Sequence, residues 1–369
     1  MLNIYPFKNV FGLDISDSDI RLALLKKRGK EIIIASLNEL PLPDGLIFDG
    51  EIKDDIKLRN LLGRLIKNTS GKKINTPYVN CVLPERKTFI KLIALPQSNT
   101  SDLGEAIKWE AAQHIPMSLE EMYLDWQIID DGKRQDKNLS VLIAAAPKNI
   151  VDSYTNLLEG VGLTPISFET ESMAITRSIL SGQNNNLLPL LIIDLGGDHT
   201  NLIIFDKNSL QFSSTLSFSG KGITQKIAEG LKMTFADAEK AKIICGLETK
   251  KGKGQISKII TPLFSELIDK IGETENYYLN LFPGRQKFKK IILSGSGALL
   301  KNLDIYCQKK LNLPVDIANP LVHLNVKQSK IKILAEQACP FTTTIGLALK
   351  NLLTYDVTKS PLPGKKEKT

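Results

Sequence analysis

Cysteine is scarce in this chain: four in 369 residues, at Cys81, Cys245, Cys307 and Cys339, with no C-x-x-C pair among them. That scatter argues against a zinc ribbon, a redox dithiol or a disulfide framework, and a reducing cytoplasm is the simple reading. Aromatic residues make up only 6% and are not interleaved with basic ones. Recognition of nucleic acid by base stacking therefore has no support. Long apolar runs are missing as well. The longest, 187–193, is interrupted by Pro189 and falls far short of the ~20 residues that span a bilayer. The opening Met1-Leu2-Asn3-Ile4-Tyr5-Pro6 has no basic segment followed by an apolar core, so no secretory leader is expected. At the far end, Pro361 and Pro363 interrupt a polar, lysine-rich stretch, which excludes an amphipathic membrane helix there.

What remains is ordinary in composition, 42% hydrophobic and 24% charged, as in soluble globular proteins. At about 150 residues per domain, the length suits two core-bearing domains. The net charge of +8 comes partly from Lys250-Lys251-Gly252-Lys253 and from Lys365, Lys366 and Lys368. Those runs read as solvated surface charge, with at most a weak attraction to anionic membranes.

The most informative feature occurs twice. Phe11-Gly12-Leu13-Asp14-Ile15-Ser16-Asp17-Ser18 leads into the apolar run 20–25, and Leu191-Ile192-Ile193-Asp194-Leu195-Gly196-Gly197-Asp198-His199-Thr200 leads into 202–205. In each, an apolar strand ends in an Asp, small or polar residues turn, and a second apolar strand leaves. Such a turn directs successive backbone N–H groups at one spot, where phosphate oxygens can sit, and the Asp can hold a hydrated Mg²⁺. One copy is no more than a tight turn. Two copies, 180 positions apart, point to a duplicated domain that clamps a nucleotide between its halves.

Around these hairpins the pattern predicts a strand at 32–37 and a helix over 54–68 with Ile56, Leu58, Leu61, Leu62, Leu65 and Ile66 on its apolar face. A new unit starts near Phe89. Its helix opens at a capping box, Asp102 to Glu105, and runs out before Pro116. Strands 123–129 and 139–146 follow across a polar turn at 130–138, then a helix after Pro147. The second half opens after a polar linker, 181–186. There Thr224 is expected to cap one helix and Thr234 with Asp237 the next, which stops at Gly246. A long helix over 262–281 returns to the strand Ile291-Ile292-Leu293, followed by Ser294-Gly295-Ser296-Gly297 and another helix.

These residues resemble the actin-like ATPase superfamily and, within it, the PilM family of type IV pilus assembly proteins. The segments that carry the closer likeness are Ala106-Ile107-Lys108-Trp109-Glu110-Ala111-Ala112-Gln113-His114-Ile115-Pro116, Tyr123-Leu124-Asp125-Trp126-Gln127, 141–148 and 159–165. The resemblance implies an α/β, actin-like (ribonuclease H-like) duplicated two-domain fold with an inserted α+β subdomain. Domain 1 would comprise 8–88, a connecting segment 166–182 and a closing segment 336–355. The insertion would be 89–165, domain 2 187–335 with a helical part at about 222–284, and a flexible tail 356–369.

It also implies ATP and Mg²⁺ as ligands. Asp14, Ser16, Asp17 and Ser18 would form the first phosphate loop, and Asp194, Gly196, Gly197 and Thr200 the second. Gly220, Glu239 and Lys242 would lie near the ribose and adenine, with Gly295, Ser296 and Gly297 as the adenosine loop. Asp14 and Asp194 would hold Mg²⁺ through water, while Glu169 and Glu171 join Asp194 as candidates for handling metal or water. His199 reads as a solvent-facing loop residue. The first loop departs from the pattern, with Ser16 where glycine is usual and Asp17 bringing a carboxylate towards the phosphates. Slow or absent hydrolysis is the expectation. The implied partner is the short cytoplasmic N-terminal tail of a PilN-like bitopic membrane protein, docked between domain 1 and the insertion. Other inner-membrane pilus components and self-association are further expected contacts. Alternatives are an FtsA-like cell-division scaffold and, further off, a sugar or carboxylate kinase of the same fold.

Overall fold

The computed structural model describes residues 9–96, 103–115, 117–129, 138–180 and 189–353. The expected linker at 181–186, most of the turn at 130–138, the tail at 356–369, Asp102 and Pro116 lie outside the described residues.

The fold repeats itself. In domain 1, β1 (Phe11–Ile15) pairs antiparallel with β2 (Asp19–Arg28), which continues to β3 (Glu31–Pro41). On its other side β1 runs parallel to β7 (Tyr78–Leu83), which is parallel to β11 (Thr164–Thr170). In domain 2, β12 (Leu190–Leu195), β13 (Thr200–Asp206) and β14 (Ser209–Leu216) repeat the antiparallel part. There β15 (Lys290–Ser294) and β16 (Val315–Ile317) repeat the parallel part. The order β11-β7-β1-β2-β3 is thus matched strand for strand by β16-β15-β12-β13-β14. Small pieces complete the first half: β4 (Ile47–Phe48) with β5 (Glu51–Ile52), and β6 (Ser70–Gly71) beside β3.

Helices cover both faces of the first sheet. On one lie α1 (Asp55–Lys67) and α3 (Lys148–Glu159), which bury Leu58, Leu62, Leu65, Tyr154, Leu157 and Leu158 against Phe11, Leu13 and Leu22. The α1 start agrees with the sequence reading: Asp54 caps it, accepting from Lys57 N–H at 2.9 Å. Against the other face pack α4 (Glu171–Leu180) and α10 (Thr342–Leu349), the latter preceded by the single turn α9 (Ala335–Ala338). Gly346 lets α10 cross α4, because a methyl group there would overlap the Ala174 carbonyl.

Between β7 and α3 the chain leaves domain 1 as β8 (Phe89–Pro96), α2 (Leu103–His114), β9 (Met122–Ile129) and β10 (Asn138–Pro147). These elements form their own small core of Ile93, Ile107, Ala111, Met122, Val141 and Ile143. The expected end of the insertion at 165 is corrected: α3 and β11 bury their apolar faces in domain 1, so the excursion closes at Pro147. Its strands also join the second sheet, because β8 lies beside β14 with Lys91 opposite Phe212, and the order β14-β8-β10-β9 is continuous.

Domain 2 carries α5 (Gly220–Leu231), α6 (Phe235–Cys245), α7 (Gln255–Leu281) and α8 (Leu303–Leu311). Thr234 caps α6 and Gly246 ends it at φ 52°, as the pattern predicts. Two expectations fail. The cap of α5 is Ser219, whose side chain accepts from Gly222 N–H at 3.1 Å, and Thr224 lies inside the helix. Helix α7 begins at Gln255 and passes through Pro262. Burial of Ile256 and Ile260 on the same face as Phe264 and Leu267 outweighs the hydrogen bond that the proline withholds. After Gly295 there is only a 3₁₀ turn, Ser296–Leu299, before α8.

Candidate functional site

Both hairpins close with the same bond. Ser16 N–H donates to the Asp19 carbonyl and Gly196 N–H to the His199 carbonyl, each at 2.9 Å. Ser16 also accepts through its hydroxyl from Ser18 N–H (3.2 Å) and Asp19 N–H (3.1 Å). Its backbone has no positive φ, so the missing glycine imposes no strain. The turns face each other across the cleft between the domains. A methyl on Gly197 would come within 2.9 Å of Ser18 Oγ, and the Ser18 hydroxyl donates to the Asp198 carboxylate.

Asp17 is not part of that face. Its carboxylate turns back and accepts from Asp49 N–H (2.8 Å) and Gly50 N–H (3.0 Å), fastening the β4–β5 turn. The carboxylate that crowds the cleft belongs instead to Asp198. It is further held by Lys221 Nζ at 3.0 Å, and Arg86 donates to the Asp198 carbonyl at 2.8 Å.

Beneath the turns lies a buried acidic cluster. Asp14 and Asp194 occupy matching positions near the ends of β1 and β12, opposite Arg21 and Asn201. Glu171, at the head of α4, accepts from Asn201 Nδ2 at 2.8 Å and meets His199 Nε2 at 3.4 Å. Burial, then the charge of Glu171, pushes the Asp14 carboxyl well above its usual range. The same causes raise Asp194 to about 6. Burial works against a charged His199, but Glu171 outweighs it and lifts the imidazole to about 9. His199 is therefore half-buried and paired with Glu171, which favours its charged form, contrary to the expectation of a solvent-facing residue. A cavity of about 20 Å³, whose lining includes Ser16, Asp17, Glu85, Arg86, Glu171 and His199, opens beside the pair. It has room for one water molecule.

Glu169 takes no part. It lies on β11 in a two-pronged pair with Arg177 (2.7 and 2.8 Å), and Lys350 adds a third contact at 2.7 Å. Burial alone would raise its pKa, yet these cations hold it below the usual range. Its work is structural. Glu85, which the sequence reading missed, does belong to the site. Its carboxylate accepts from the Ser172 hydroxyl, from Ser172 N–H (3.2 Å) and from Ser213 Oγ (2.5 Å), joining β7, α4 and β14. Burial and then Glu171 raise its pKa. The available signal was its place just past the C-terminal end of a parallel strand, where α/β sheets present ligand groups.

Three of the residues expected near a ribose and adenine, Gly220, Glu239 and Lys242, lie together. Lys242 Nζ donates to the Gly220 carbonyl (2.9 Å), Thr224 Oγ1 (2.8 Å) and Glu239 Oε2 (2.8 Å), while Gly220 N–H donates to the Gly196 carbonyl (3.0 Å). Thr224 also donates to Glu239. Gly295, at φ 79°, and Gly297 lie against Leu195, whose carbonyl a side chain at either position would strike. These glycines dock their loop, with Ser296 between them, on the second hairpin. Thr200 Oγ1, directly after that hairpin, is buried without a hydrogen-bond partner.

A family model described as type IV pilus assembly protein PilM matches residues 12–352. Among solved structures, the fold is similar to that of a PilM–PilN type IV pilus biogenesis complex. The TM-score is 0.80 at 23% identity, over 94% of this chain and 99% of that one. It is also similar to MreB5 of Spiroplasma citri bound to AMPPNP, with TM-score 0.52 and 15% identity over 94% and 96% of the two chains. The cell division protein FtsA of Buchnera aphidicola is 23% identical over 231 residues, 54% of this chain and 52% of that protein. FtsA of Enterococcus hirae is 26% identical over 200 residues, 52% and 40% of the two. The chain thus spans about half the length of the curated relatives it matches. Actin-like proteins share the duplicated fold, and a family match over nearly the whole chain decides among them: this chain belongs to the PilM family of type IV pilus assembly proteins.

Proposed function

We propose that the chain is an ATP-binding scaffold of the inner-membrane machinery that assembles type IV pili. The observation that carries the nucleotide reading is the meeting of two equivalent hairpins across one cleft, above a buried cluster with more carboxylates than cations. Gly196, Gly197 and Thr200 would serve the phosphates, with the orphaned Thr200 hydroxyl supplying an unused hydrogen-bonding group. Gly220, Glu239 and Lys242 would flank the ribose and base. Among the described residues no three His, Cys, Asp or Glu side chains are close enough to hold a metal ion directly, so Asp14 and Asp194 would reach Mg²⁺ through water. A bound Mg²⁺ would supply the positive charge that the cluster lacks. Glu171, held by Asn201 and His199, would position a water in the small cavity.

Among the described residues no helix is long and apolar enough to cross a membrane. Attachment at the inner face of the cytoplasmic membrane would come through a protein, the N-terminal tail of a PilN-like bitopic partner. The PilM–PilN complex, whose fold this chain shares, supports that choice. The tail would sit where the insertion meets domain 1. There Tyr123 donates to Asp152 at 3.2 Å and Lys148 lies 5.8 Å over the Tyr123 ring. Similarity to FtsA favours a second reading, a cell-division scaffold, but over half the length only.

Calorimetry tests the nucleotide reading. The full chain should bind Mg·ATP and Asp194→Ala should not; equal affinity of the two would refute it. For the partner, the tail peptide of the neighbouring bitopic protein should bind in high salt, where the Debye length shrinks towards ~3 Å. Sedimentation with bare anionic liposomes but no peptide binding would replace the scaffold with a lipid-binding role.

A further inference from the structure

The cleft carries its own anion. Asp198 sits at the tip of the second hairpin, at the position equivalent to Ser18 in the first, and these two residues meet across the gap. The groups around Asp198 are those that bind phosphate: a serine hydroxyl, the Lys221 ammonium at 3.0 Å, and Arg86, which holds its backbone carbonyl at 2.8 Å. Lys221, which shares a domain with Asp198, also reaches across the cleft to Asp44 at 3.2 Å. With Ser18 within 2.9 Å of where a methyl on Gly197 would lie, no phosphate group fits between the tips as they stand.

We propose that Asp198 is a built-in surrogate for a nucleotide phosphate, latching the hairpins together until a terminal phosphate displaces it. The proposal rests on reading the cleft as a nucleotide site. The latch acts in two ways. It offsets part of the interaction that Ser18 and Lys221 could give a phosphate, and it places a carboxylate where a second anion must arrive. It ties the domains in the closed arrangement without ligand, so nucleotide replaces one closed state by another and does not create closure. The surrogate also discriminates by phosphate number. A nucleoside triphosphate must evict Asp198, whereas a diphosphate, lacking the outermost group, can leave the tip contact in place.

The test is calorimetric titration of the full-length protein with Mg·ATP and with ADP, comparing wild type with Asp198→Asn and Asp198→Gly. Asparagine keeps the volume and the turn, and thermal melts establish that each variant is folded. Both variants should bind Mg·ATP at least about tenfold more tightly, the loss of one charge-assisted hydrogen bond, with a smaller gain for ADP. Unchanged or weaker Mg·ATP affinity in both folded variants, with wild type binding normally, overturns the latch and leaves the nucleotide reading intact. If none of the three binds either nucleotide, the nucleotide reading fails. The latch is then judged by small-angle scattering without ligand, where a radius of gyration no larger in Asp198→Asn than in wild type overturns it.

Discussion

The Arg177 guanidinium grips the Glu169 carboxylate with two hydrogen bonds, at 2.7 and 2.8 Å, and donates a third at 3.0 Å to the carbonyl of Gly346. One buried ion pair thus ties β11, α4 and the closing helix α10 together. Removing Glu169 leaves the Arg177 charge buried without its carboxylate, and removing Arg177 leaves the buried Glu169 with Lys350 alone. Glu169→Ala or Arg177→Ala should therefore lower stability by about 3–5 kcal/mol, read from urea unfolding. Loss of less than about 1 kcal/mol, the range of exposed pairs, would contradict the structural role. Because the Glu169 pKa is lowered in the folded protein, its contribution is present above the unfolded value and disappears as pH falls through the folded one.

The acidic cluster has the opposite sign. Asp194 rises from 3.8 to about 6 on folding, so the folded chain binds the extra proton and stability falls as pH climbs through that window. Asp14 adds in the same direction. His199 rises from 6.5 to about 9; its contribution is complete below the unfolded value and is lost as pH rises through the folded one. Thermal midpoints of the ligand-free protein should fall from about pH 5 to about pH 9, and His199→Asn should flatten the upper part of that decline. A midpoint that rises with pH over this range would refute the assignment.

Gly346→Ala should be severely destabilising, by about 2–4 kcal/mol, since the crossing of α10 and α4 leaves no room for a methyl beside the Ala174 carbonyl. Chemical denaturation measures this directly. A neutral result would mean that the helices separate freely at that point.

Asp17→Asn should weaken the β4–β5 turn, at a cost of about 1–2 kcal/mol, while changing Mg·ATP affinity by less than about twofold. Calorimetry showing a large gain in affinity would restore Asp17 to the phosphate face and remove Asp198 from it.

Much of this architecture can be read from the chain because it is written in local patterns. The two hairpins show as apolar strands on either side of small turn residues. Helices α1, α2, α3 and α6 show through periodicity, a cap or a stop signal. What escaped is set by distant contacts. The direction of Asp17 depends on backbone amides more than thirty residues away. The pairing of His199 depends on Glu171, and the allegiance of α3 on which core its Tyr154 enters. Glu85 escaped because a single acidic residue after a strand carries no spacing to recognise. The start of α7 was masked by Pro262, an interior proline tolerated only because tertiary burial overrides propensity.

The eight-stranded sheet that runs from domain 2 into the insertion separates the order of the chain from its mechanics. Residues 89–147 interrupt the first domain in sequence, yet Ile90, Leu92 and Leu142 are cemented into the hydrophobic core of the second. A sheet is stiff in its own plane. Were the second domain to turn, the excursion would be drawn with it through this shared core, and the contact strained would be the polar one where Tyr123 touches Asp152 of α3.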